Sequence, residues 1–317
     1  MADEYRHEDG SWERGVIEKL ASAALAEQRK ARYWGIFFKF LTFAYLVLVL
    51  VLAMGWIGGS DSARSADYSA LVELNGVIGQ DTTANADDVM AGLRDAFESK
   101  GTQGVILRIN SPGGSPVQAA TINDEIARLR SLHPDISVYA VIEDVCASGG
   151  YYVAVAADRI YVDKASIVGS IGVLMDGFGF TGTLDKLGVE RRLLTSGDNK
   201  GFLDPFSPLD PKQREHAEQM LDEIHKQFID VVRAGRGERL KESPDVFSGL
   251  VWTGQRSIDM GLADEFGSMD FVAREVIGAE RIVNFTRREN FAERLARRFG
   301  AAIGEALVKT LGPASVR

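Results

Sequence analysis

The segment Asp144-Val-Cys-Ala-Ser-Gly-Gly-Tyr-Tyr152 places Ser148 on a glycine-rich turn that has no histidine near it. An apolar, strand-like run at 136–142 precedes the turn, and residues 151–156 can continue as a buried helix. A serine between a strand and a helix has rigid flanks, and the helix amides point toward a developing negative charge. We therefore predict that Ser148 is a nucleophile whose base is not histidine. A simple helix cap is the alternative.

A second glycine-rich turn, Asn110-Ser-Pro-Gly-Gly-Ser115, follows a strand-like segment and precedes a helix-like one. Its glycine amides can approach an incoming carbonyl closely, because glycine has no side chain to block them. The turn therefore predicts an oxyanion hole. A tight strand-to-helix connection is the alternative for a Gly-Gly pair. A phosphate-binding P-loop is not indicated, because its Gly-x4-Gly-Lys pattern is missing.

The base is predicted to be a lysine. A serine hydroxyl has to lose its proton to attack, and a lysine can accept it where burial or a nearby positive field favours the neutral amine. Lys200 is the candidate, in a loop of small and polar residues, Leu194-Thr-Ser-Gly-Asp-Asn-Lys-Gly-Phe202. No histidine of the chain has a Ser-His-Asp context. The four are His7, His133, His216 and His225.

Composition excludes several classes of protein. The 317 residues are 45% hydrophobic, enough for a substantial core, and the net charge is −9. A general nucleic-acid binder needs a basic surface, so no nucleic-acid partner is expected. Cys146 is the single cysteine, and its apolar neighbours favour a small buried residue over a thiol nucleophile. No cluster of metal ligands stands out, so we expect neither a metal nor an organic cofactor.

Residues 40–57 are uncharged and predominantly apolar. As a helix they would extend about 27 Å, close to the ~30 Å hydrocarbon core of a bilayer. The segment before them is basic and the segment after them is poor in positive charge, which puts residues 1–39 in the cytoplasm and the remainder outside. A cleaved signal peptide is the alternative, but the region before the apolar run is too long for one. We predict a retained, single-pass anchor in the lipid bilayer.

Strand-like and helix-like segments alternate after a polar linker at 58–67. This alternation predicts an α/β domain with mainly parallel strands. Near the C-terminus, apolar residues recur every four positions from Phe291 to Leu311, which predicts an amphipathic helix. Strands are predicted at 69–78, 104–109, 136–142, 159–162 and 166–174, and helices at 86–99, 116–131 and from Pro211 to about Ala234.

Five glycine-containing motifs occur in order along the chain: Asn110-Ser-Pro-Gly-Gly114, Ala147-Ser-Gly-Gly-Tyr151, Gly169-Ser-Ile-Gly-Val173, Ser196-Gly-Asp-Asn-Lys-Gly201 and Gly261-Leu-Ala-Asp-Glu-Phe-Gly267. In these motifs and in their order, the chain resembles the signal peptide peptidase A proteins of serine peptidase family S49. The resemblance is to the short, single-repeat bacterial form, and it covers roughly residues 68–285.

The resemblance implies a ClpP/crotonase-like domain of repeated ββα units, preceded by one transmembrane helix. It also implies a Ser-Lys dyad, in which Ser148 attacks the peptide carbonyl and Lys200 accepts its proton. Ser170 matches the position that hydrogen-bonds the lysine, and the backbone N–H groups of Gly114 and Gly149 would stabilise the oxyanion. Family members form rings or domes with active sites at subunit contacts. We therefore expect a homo-oligomer, and whether the dyad forms within or between protomers stays open.

These features predict a serine endopeptidase of the bacterial inner membrane that degrades remnant signal peptides on the periplasmic side. A broader membrane quality-control peptidase is one alternative. A non-enzymatic oligomeric scaffold that only binds peptides is another, and an acyl-CoA enzyme of the same fold is a third. The expected organisation is a cytoplasmic tail at 1–39, the anchor at 40–57, the linker at 58–67, the peptidase domain at 68–287 and the amphipathic helix at 288–317.

Overall fold

The chain forms two compact units, which divide between Ala63 and Arg64. The computed structural model describes residues 9–53 and 67–287. In the first unit, α1 (Asp9–Ala53) is one continuous helix. Among the described residues, α1 is the one helix long and apolar enough to cross a membrane, judged by length and composition.

Residues 40–53 of the predicted anchor lie within α1, which begins 31 residues earlier, at Asp9. Large apolar side chains of this part of the helix, such as Phe43 and Leu46, are exposed. Four predicted segments lie wholly or partly outside the described residues. These are the first eight residues of the tail, residues 54–57 of the anchor, residues 58–66 of the linker and the C-terminal helix at 288–317.

The second unit is built on one eight-stranded sheet. Every strand pair is parallel except β5 with β6. Helices connect most of the parallel strands, so the predicted α/β class is confirmed. The strands are β1 (Tyr68–Asn75), β2 (Thr102–Ser111), β3 (Val138–Ala147), β4 (Arg159–Val162), β5 (Ile167–Gly169), β6 (Val251–Thr253), β7 (Glu265–Phe266) and β8 (Ile282–Asn284).

The sheet branches at β3. Its main path runs β6-β5-β3-β2-β1-β8, while β4 pairs with both β3 and β7. The first half of β3 pairs with β4 through Tyr139 to Val141, and its last residues pair with β5 through Val145 to Ala147. The carboxyl ends of β2, β3 and β5 therefore meet at one edge, where ligands bind in open α/β sheets.

Helices cover the sheet as the strand periodicity requires. Successive residues of β2 enter opposite clusters, with Val105 and Leu107 in the larger core and Ile106 in the smaller one. The smaller cluster also contains Val272 from a π-helical stretch, Val272–Ile277. The α-helices in the described part of this unit are α2 (Ala86–Glu98), α3 (Pro116–Leu132), α4 (Gly149–Ala154), α5 (Thr181–Leu187), α6 (Pro211–Arg236), α7 (Gly254–Asp259) and α8 (Met269–Phe271).

The helix starts follow ordinary capping chemistry. The Asn85 side chain accepts a hydrogen bond from the amide of Asp88 at the start of α2. Ser115 and Asp210 cap α3 and α6 in the same way, and each of these helices has proline in its first turn. These local signals explain why the predicted starts of all three helices agree with the structure.

The strand predicted at 166–174 is wrong in its length, because β5 ends at Gly169. Gly169 has a φ of 115° and Ser170 a φ of 52°, and positive φ values take the backbone out of the pleat. The apolar run from Ile171 to Leu174 therefore leaves the sheet. This turn is also what presents Ser170 at the sheet edge.

Candidate active site

Ser148 lies between β3 and α4, as the sequence predicted. Its φ is 51° and its ψ is −123°, a conformation that residues other than glycine rarely adopt. Its amide donates to the Gly169 carbonyl at 2.9 Å, and its carbonyl accepts from Tyr152 at 3.0 Å, which starts the helix. Strain of this kind persists only where the surroundings fix it, and it is concentrated at functional sites.

The Gly-Gly pair of the second predicted turn packs directly against Ser148. A side chain on Gly113 would lie 2.7 Å from the Ser148 Cβ, and one on Gly114 would lie 2.1 Å from the Ile78 carbonyl oxygen. Both glycines have positive φ, 101° and 148°. The close approach and the backbone conformation each require glycine here.

Two backbone amides beside the serine are unused within the described chain. The Gly149 amide is the first of α4, where no earlier carbonyl of the helix is in reach. The Gly114 nitrogen is adjacent, since a Cβ on Gly149 would lie 3.3 Å from it. Neither amide donates a backbone hydrogen bond among the described residues. The backbone nitrogens of the two predicted oxyanion-hole donors therefore lie close together beside Ser148, and neither has a backbone acceptor among the described residues.

Ser170 is the in-register neighbour of Ser148. Ala147 pairs with Gly169 in the parallel register of β3 and β5, so the two serines that follow lie side by side at the sheet edge. The Ser170 amide donates to the Leu250 carbonyl at 2.8 Å. The predicted orienting residue is thus close to the predicted nucleophile.

Lys200 lies in a different environment. It is exposed and belongs to the segment 174–209, which we call the arm. Its amide closes a turn onto the Gly197 carbonyl at 3.1 Å. Among the described residues, its side chain forms no hydrogen bond and no ion pair, and none joins it to Ser148. A single chain therefore does not link the two members of the predicted dyad.

The arm is held by contacts within itself and to α6. Phe180 stacks on Phe206, with ring centroids 5.5 Å apart, and its amide donates to the Pro205 carbonyl. At the start of α6, the Gln213 side chain accepts from the Leu203 amide at 3.1 Å. Large apolar side chains of the arm face solvent, and Leu194 is 94% exposed. Exposed apolar surface of this kind marks an interaction site.

The residues around Ser148 are not alternative nucleophiles. Cys146 is fully buried, and burial raises the pKa of its thiol far above the usual range. Burial likewise raises the pKa of Tyr151, whose hydroxyl donates to the Leu262 carbonyl at 2.8 Å. Both side chains stay protonated and serve as packing and anchoring for the turn.

Two residues that contribute to the site were missed by the sequence reasoning. The Ser111 hydroxyl donates to the Gly76 carbonyl at 2.6 Å and accepts from the Gly113 amide at 3.2 Å, which shapes the oxyanion loop. Nε2 of His225, on α6, lies 3.1 Å from the Ile171 carbonyl oxygen. The sequence could have indicated Ser111, because it lies within the Asn-Ser-Pro-Gly-Gly motif. No local pattern indicates the contact of His225, because its partner is 54 positions away.

Comparison with known proteins is consistent with this geometry. The sequence profile described as Peptidase family S49 matches residues 131–281. A Synechocystis protein provisionally named protease slr0021 is 31% identical over 199 residues, which cover 63% of this chain and 69% of that protein. The chain belongs to peptidase family S49. Membership of S49 supports a serine peptidase.

Other relatives match over a smaller part of their length. A Brucella melitensis protein named Na(+)/H(+) antiporter NhaA is 46% identical over 186 residues, which are 59% of this chain and 25% of that protein. An Enterococcus faecium protein provisionally named signal peptide peptidase SppA is 29% identical over 204 residues, 62% of this chain and 59% of that protein. The chain thus spans about a quarter of the length of the first protein and 59% of the second.

ClpP-like structures are among the structural neighbours of this S49 chain. A mutant of ClpP1 from Listeria monocytogenes matches 62% of the chain and 91% of its own length, at 14% identity and a TM-score of 0.39.

Proposed function

We propose that this S49 protein is a membrane-anchored serine endopeptidase with Ser148 as nucleophile and Lys200 as general base. The observation that carries the proposal is the strained Ser148 turn with the unused amides of Gly114 and Gly149 beside it. Acyl transfer needs a nucleophile held in a fixed position and hydrogen-bond donors that are available to the oxyanion. A serine that only caps a helix needs neither the strained backbone nor the two unused donors.

The chemistry follows from these positions. The Ser148 oxygen bonds to the peptide carbonyl carbon while its proton passes to the neutral amine of Lys200. The carbonyl oxygen takes up negative charge and accepts from the N–H groups of Gly114 and Gly149. The C–N bond then breaks, and Lys200 returns the proton to the leaving amine. In the second half, water gives a proton to Lys200 and attacks the ester carbonyl carbon. The bond between that carbon and the Ser148 oxygen then breaks, Lys200 returns the proton to the serine oxygen, and the acid is released.

We infer that the dyad is completed in a homo-oligomer. Lys200 is exposed and has no hydrogen-bond or ion-pair partner for its side chain within 9–53 and 67–287, and a lysine base needs burial to favour its neutral form. The arm that carries it also exposes apolar side chains, among them Leu187, Val189 and Leu194. Docking this surface on a second copy would bury both the apolar side chains and the lysine. Ser170 of the recipient site is the residue that we expect to accept or donate a hydrogen bond at the lysine amine.

The anchor gives the catalytic unit its location in this proposal. The apolar part of α1 suits a span of the bacterial inner membrane, and the basic residues before it favour a cytoplasmic N-terminus. The peptidase unit would then lie in the periplasm, close to the bilayer where released apolar peptides concentrate.

Remnant signal peptides are the substrates that we propose. The backbone between Gly172 and Gly179 donates no hydrogen bond among the described residues, although it begins directly after the Ser170 turn. A free segment beside the nucleophile can pair with an extended peptide, as an added strand pairs with a sheet edge. Exposed Leu174 and Met175 in the same segment favour an apolar peptide.

The test is peptide cleavage by the full-length chain in detergent. We expect Ser148→Ala and Lys200→Ala each to lower kcat/KM at least about 10³-fold, because members of a catalytic unit cannot replace one another. Ser131→Ala and Lys100→Ala are the matched controls, since both side chains are exposed and lie outside the Ser148 turn and the arm, and they should cleave as the wild type does. Cleavage that survives in Ser148→Ala would overturn the assignment.

The substrate is tested with peptides matched in length. Signal-peptide sequences should be cleaved faster than polar peptides of the same length. Equal cleavage of signal peptides and unfolded polar chains would instead favour a broader quality-control peptidase. Binding of peptides without any cleavage by the assembled wild type would favour the scaffold.

A further inference from the structure

His225 makes a side-chain contact at the edge of the candidate site. It lies in the middle of α6 and is half-buried, and its Nε2 lies 3.1 Å from the Ile171 carbonyl oxygen. A carbonyl oxygen can only accept, so Nε2 carries the hydrogen in this contact. The contact therefore fixes both the orientation of the imidazole ring and the tautomer of its neutral form.

The residue that His225 holds is the last of three consecutive residues, each fixed by a different part of the fold. The Gly169 carbonyl accepts from the Ser148 amide at 2.9 Å, and the Ser170 amide donates to the Leu250 carbonyl at 2.8 Å. The Ile171 carbonyl accepts from His225. The contact from His225 is the only one of these three made by a side chain, and it alone connects the turn to α6.

The turn needs such support because its conformation is unfavourable. Ser170 has a φ of 52°, and a side chain in the left-handed region costs about 1–2 kcal/mol. Ile171, which follows, is completely buried, so its carbonyl has no access to bulk water as an alternative partner. Without the His225 donor, the turn would lose one of the contacts that hold Ser170 in this strained position.

The same helix also supports the arm. Near the start of α6, Gln213 accepts from the Leu203 amide, and the His216 ring meets Phe202 edge-on with centroids 5.8 Å apart. One helix thus contacts the strained Ser170 turn at its middle and the arm bearing Lys200 at its start. A change in the His225 contact would alter the position of the Ser170 turn relative to this helix.

We propose that His225 is a positioning residue, whose Nε2–H holds the Ile171 carbonyl and thereby aims the Ser170 hydroxyl at the catalytic base. This inference rests on the proposed Ser-Lys function. Among the described residues, His225 makes no hydrogen bond to Ser148, and its effect passes through the Gly169-Ser170-Ile171 backbone.

The test compares three variants of the full-length protein in detergent. His225→Leu removes the donor and keeps apolar bulk, and His225→Asn keeps an amide but is too short to reach Ile171. His225→Gln retains an N–H at a distance from the backbone similar to that of Nε2. His133→Leu is the matched control, because His133 is also half-buried and contacts the Phe97 ring, remote in the fold from the Ser170 turn.

We expect His225→Leu and His225→Asn to lower kcat about tenfold, the effect of losing one hydrogen bond, while KM is nearly unchanged. His225→Gln should recover most of the loss, and His133→Leu should cleave normally. A uniform loss of folding would not produce this recovery. If His225→Leu does not fold, His225→Asn still provides a variant that lacks the hydrogen bond to Ile171.

Hydrogen exchange of the amides at Ser148 and Ser170 gives a second readout that does not require activity. These amides should exchange faster in His225→Leu and His225→Asn, and at the wild-type rate in His225→Gln and His133→Leu. Unchanged exchange together with unchanged kcat in both loss variants would overturn the positioning role. If cleavage does not depend on Ser148, the proposed function fails separately, and the exchange rates still decide whether His225 holds the turn.

Discussion

The Ser148 turn and the arm that carries Lys200 are stabilised in opposite ways. Around Ser148, strands, glycines and α4 are interlocked by backbone hydrogen bonds, and a methyl group on Gly113 or Gly114 has no room. The arm has a helix with no buried residue and a leucine that is 94% exposed. A nucleophile and oxyanion hole have to be rigid before substrate arrives, whereas a surface intended for a second copy is completed only on assembly.

The largest effect should come from crowding the rigid side. Gly114→Ala would bring a Cβ to within 2.1 Å of the Ile78 carbonyl oxygen at a φ of 148°, so the loop has to shift. Displacing one oxyanion donor should lower kcat/KM about 10²–10³-fold. Peptide cleavage by the folded variant measures this.

Gly79→Ala, in the same region, is the control for that substitution. Its Cβ would meet only the Thr82 side chain, at 3.3 Å, so activity should be nearly retained. Wild-type cleavage by Gly114→Ala would mean that its amide is not an oxyanion donor.

The second effect comes from weakening α6, the helix that contacts both regions. Arg236 is 1% exposed and donates to both Asp264 carboxylate oxygens, at 2.7 and 2.9 Å. Asp264→Asn leaves the buried guanidinium without its charge partner, which should lower the free energy of unfolding by about 3 kcal/mol. Chemical denaturation measures this loss, and the dependence of the free energy of unfolding on denaturant concentration should be the same in both proteins.

The pH dependence of that pair has a defined sign. Burial tends to raise the pKa of Asp264, but hydrogen bonds and charge from Arg236 outweigh it, and the pKa is lowered. The stabilisation is therefore complete above the ordinary aspartate pKa of about 3.9 and is lost as the pH falls through the lower folded value. The difference in the free energy of unfolding between wild type and Asp264→Asn should therefore decrease only at acidic pH. A difference that increases at acidic pH would contradict this sign.

A smaller effect is expected from the ion pairs of α3, on the rigid side. Hydrogen bonding to Arg128, opposed by burial and aided by Arg94, lowers the pKa of Glu125 to about 2. Glu125→Gln should lower the free energy of unfolding by about 1–2 kcal/mol at neutral pH, because both arginines are half exposed. This stabilisation is present above about pH 4.5 and is lost toward about pH 2, so melting curves across that window measure it.

The matched substitution on the arm is Glu190→Gln. Glu190 pairs with Arg192, and the two side chains are 72% and 80% exposed, so its loss should leave the melting temperature unchanged. Equal destabilisation by the two glutamine variants would remove the distinction between the rigid side and the arm.

The smallest effect on stability, but a specific one on assembly, is expected at Leu194 of the arm. Leu194→Ser should leave the melting temperature of the protomer unchanged, because Leu194 buries almost nothing in a single chain. It should reduce the assembled fraction, measured by light scattering in detergent. Leu132→Ser, at an exposed leucine on α3, should change neither.

Much of the rigid side could be predicted from local sequence. The starts of α2, α3 and α6 carry capping residues and prolines, and the strands before Ser148 and Asn110 are apolar runs bounded by glycine turns. Because these signals act over a few residues, the sequence alone predicts the strand-to-helix turn at Ser148, without knowledge of the tertiary structure.

The rest depends on contacts between distant residues. Strand β5 ends early because Ser170 has a positive φ. The sequence does not indicate this, because the apolar run continues to Leu174 and predicts a longer strand. The pairing of β5 with the last residues of β3 brings Ser170 beside Ser148, and His225 reaches Ile171 from another helix. The Ser-Lys roles remain predictions, since no contact among the described residues joins Ser148 to Lys200.

The most direct test of a dyad formed between protomers is complementation between two inactive variants. Full-length Ser148→Ala and Lys200→Ala are dissociated, mixed in equal amounts, reassembled in detergent and assayed for peptide cleavage. If one protomer supplies the serine and another the lysine, about a quarter of the contacts in a symmetric assembly contain both, and activity should reappear in that proportion. Mixed assemblies that remain inactive, although wild type treated in the same way recovers, would contradict a dyad shared between chains.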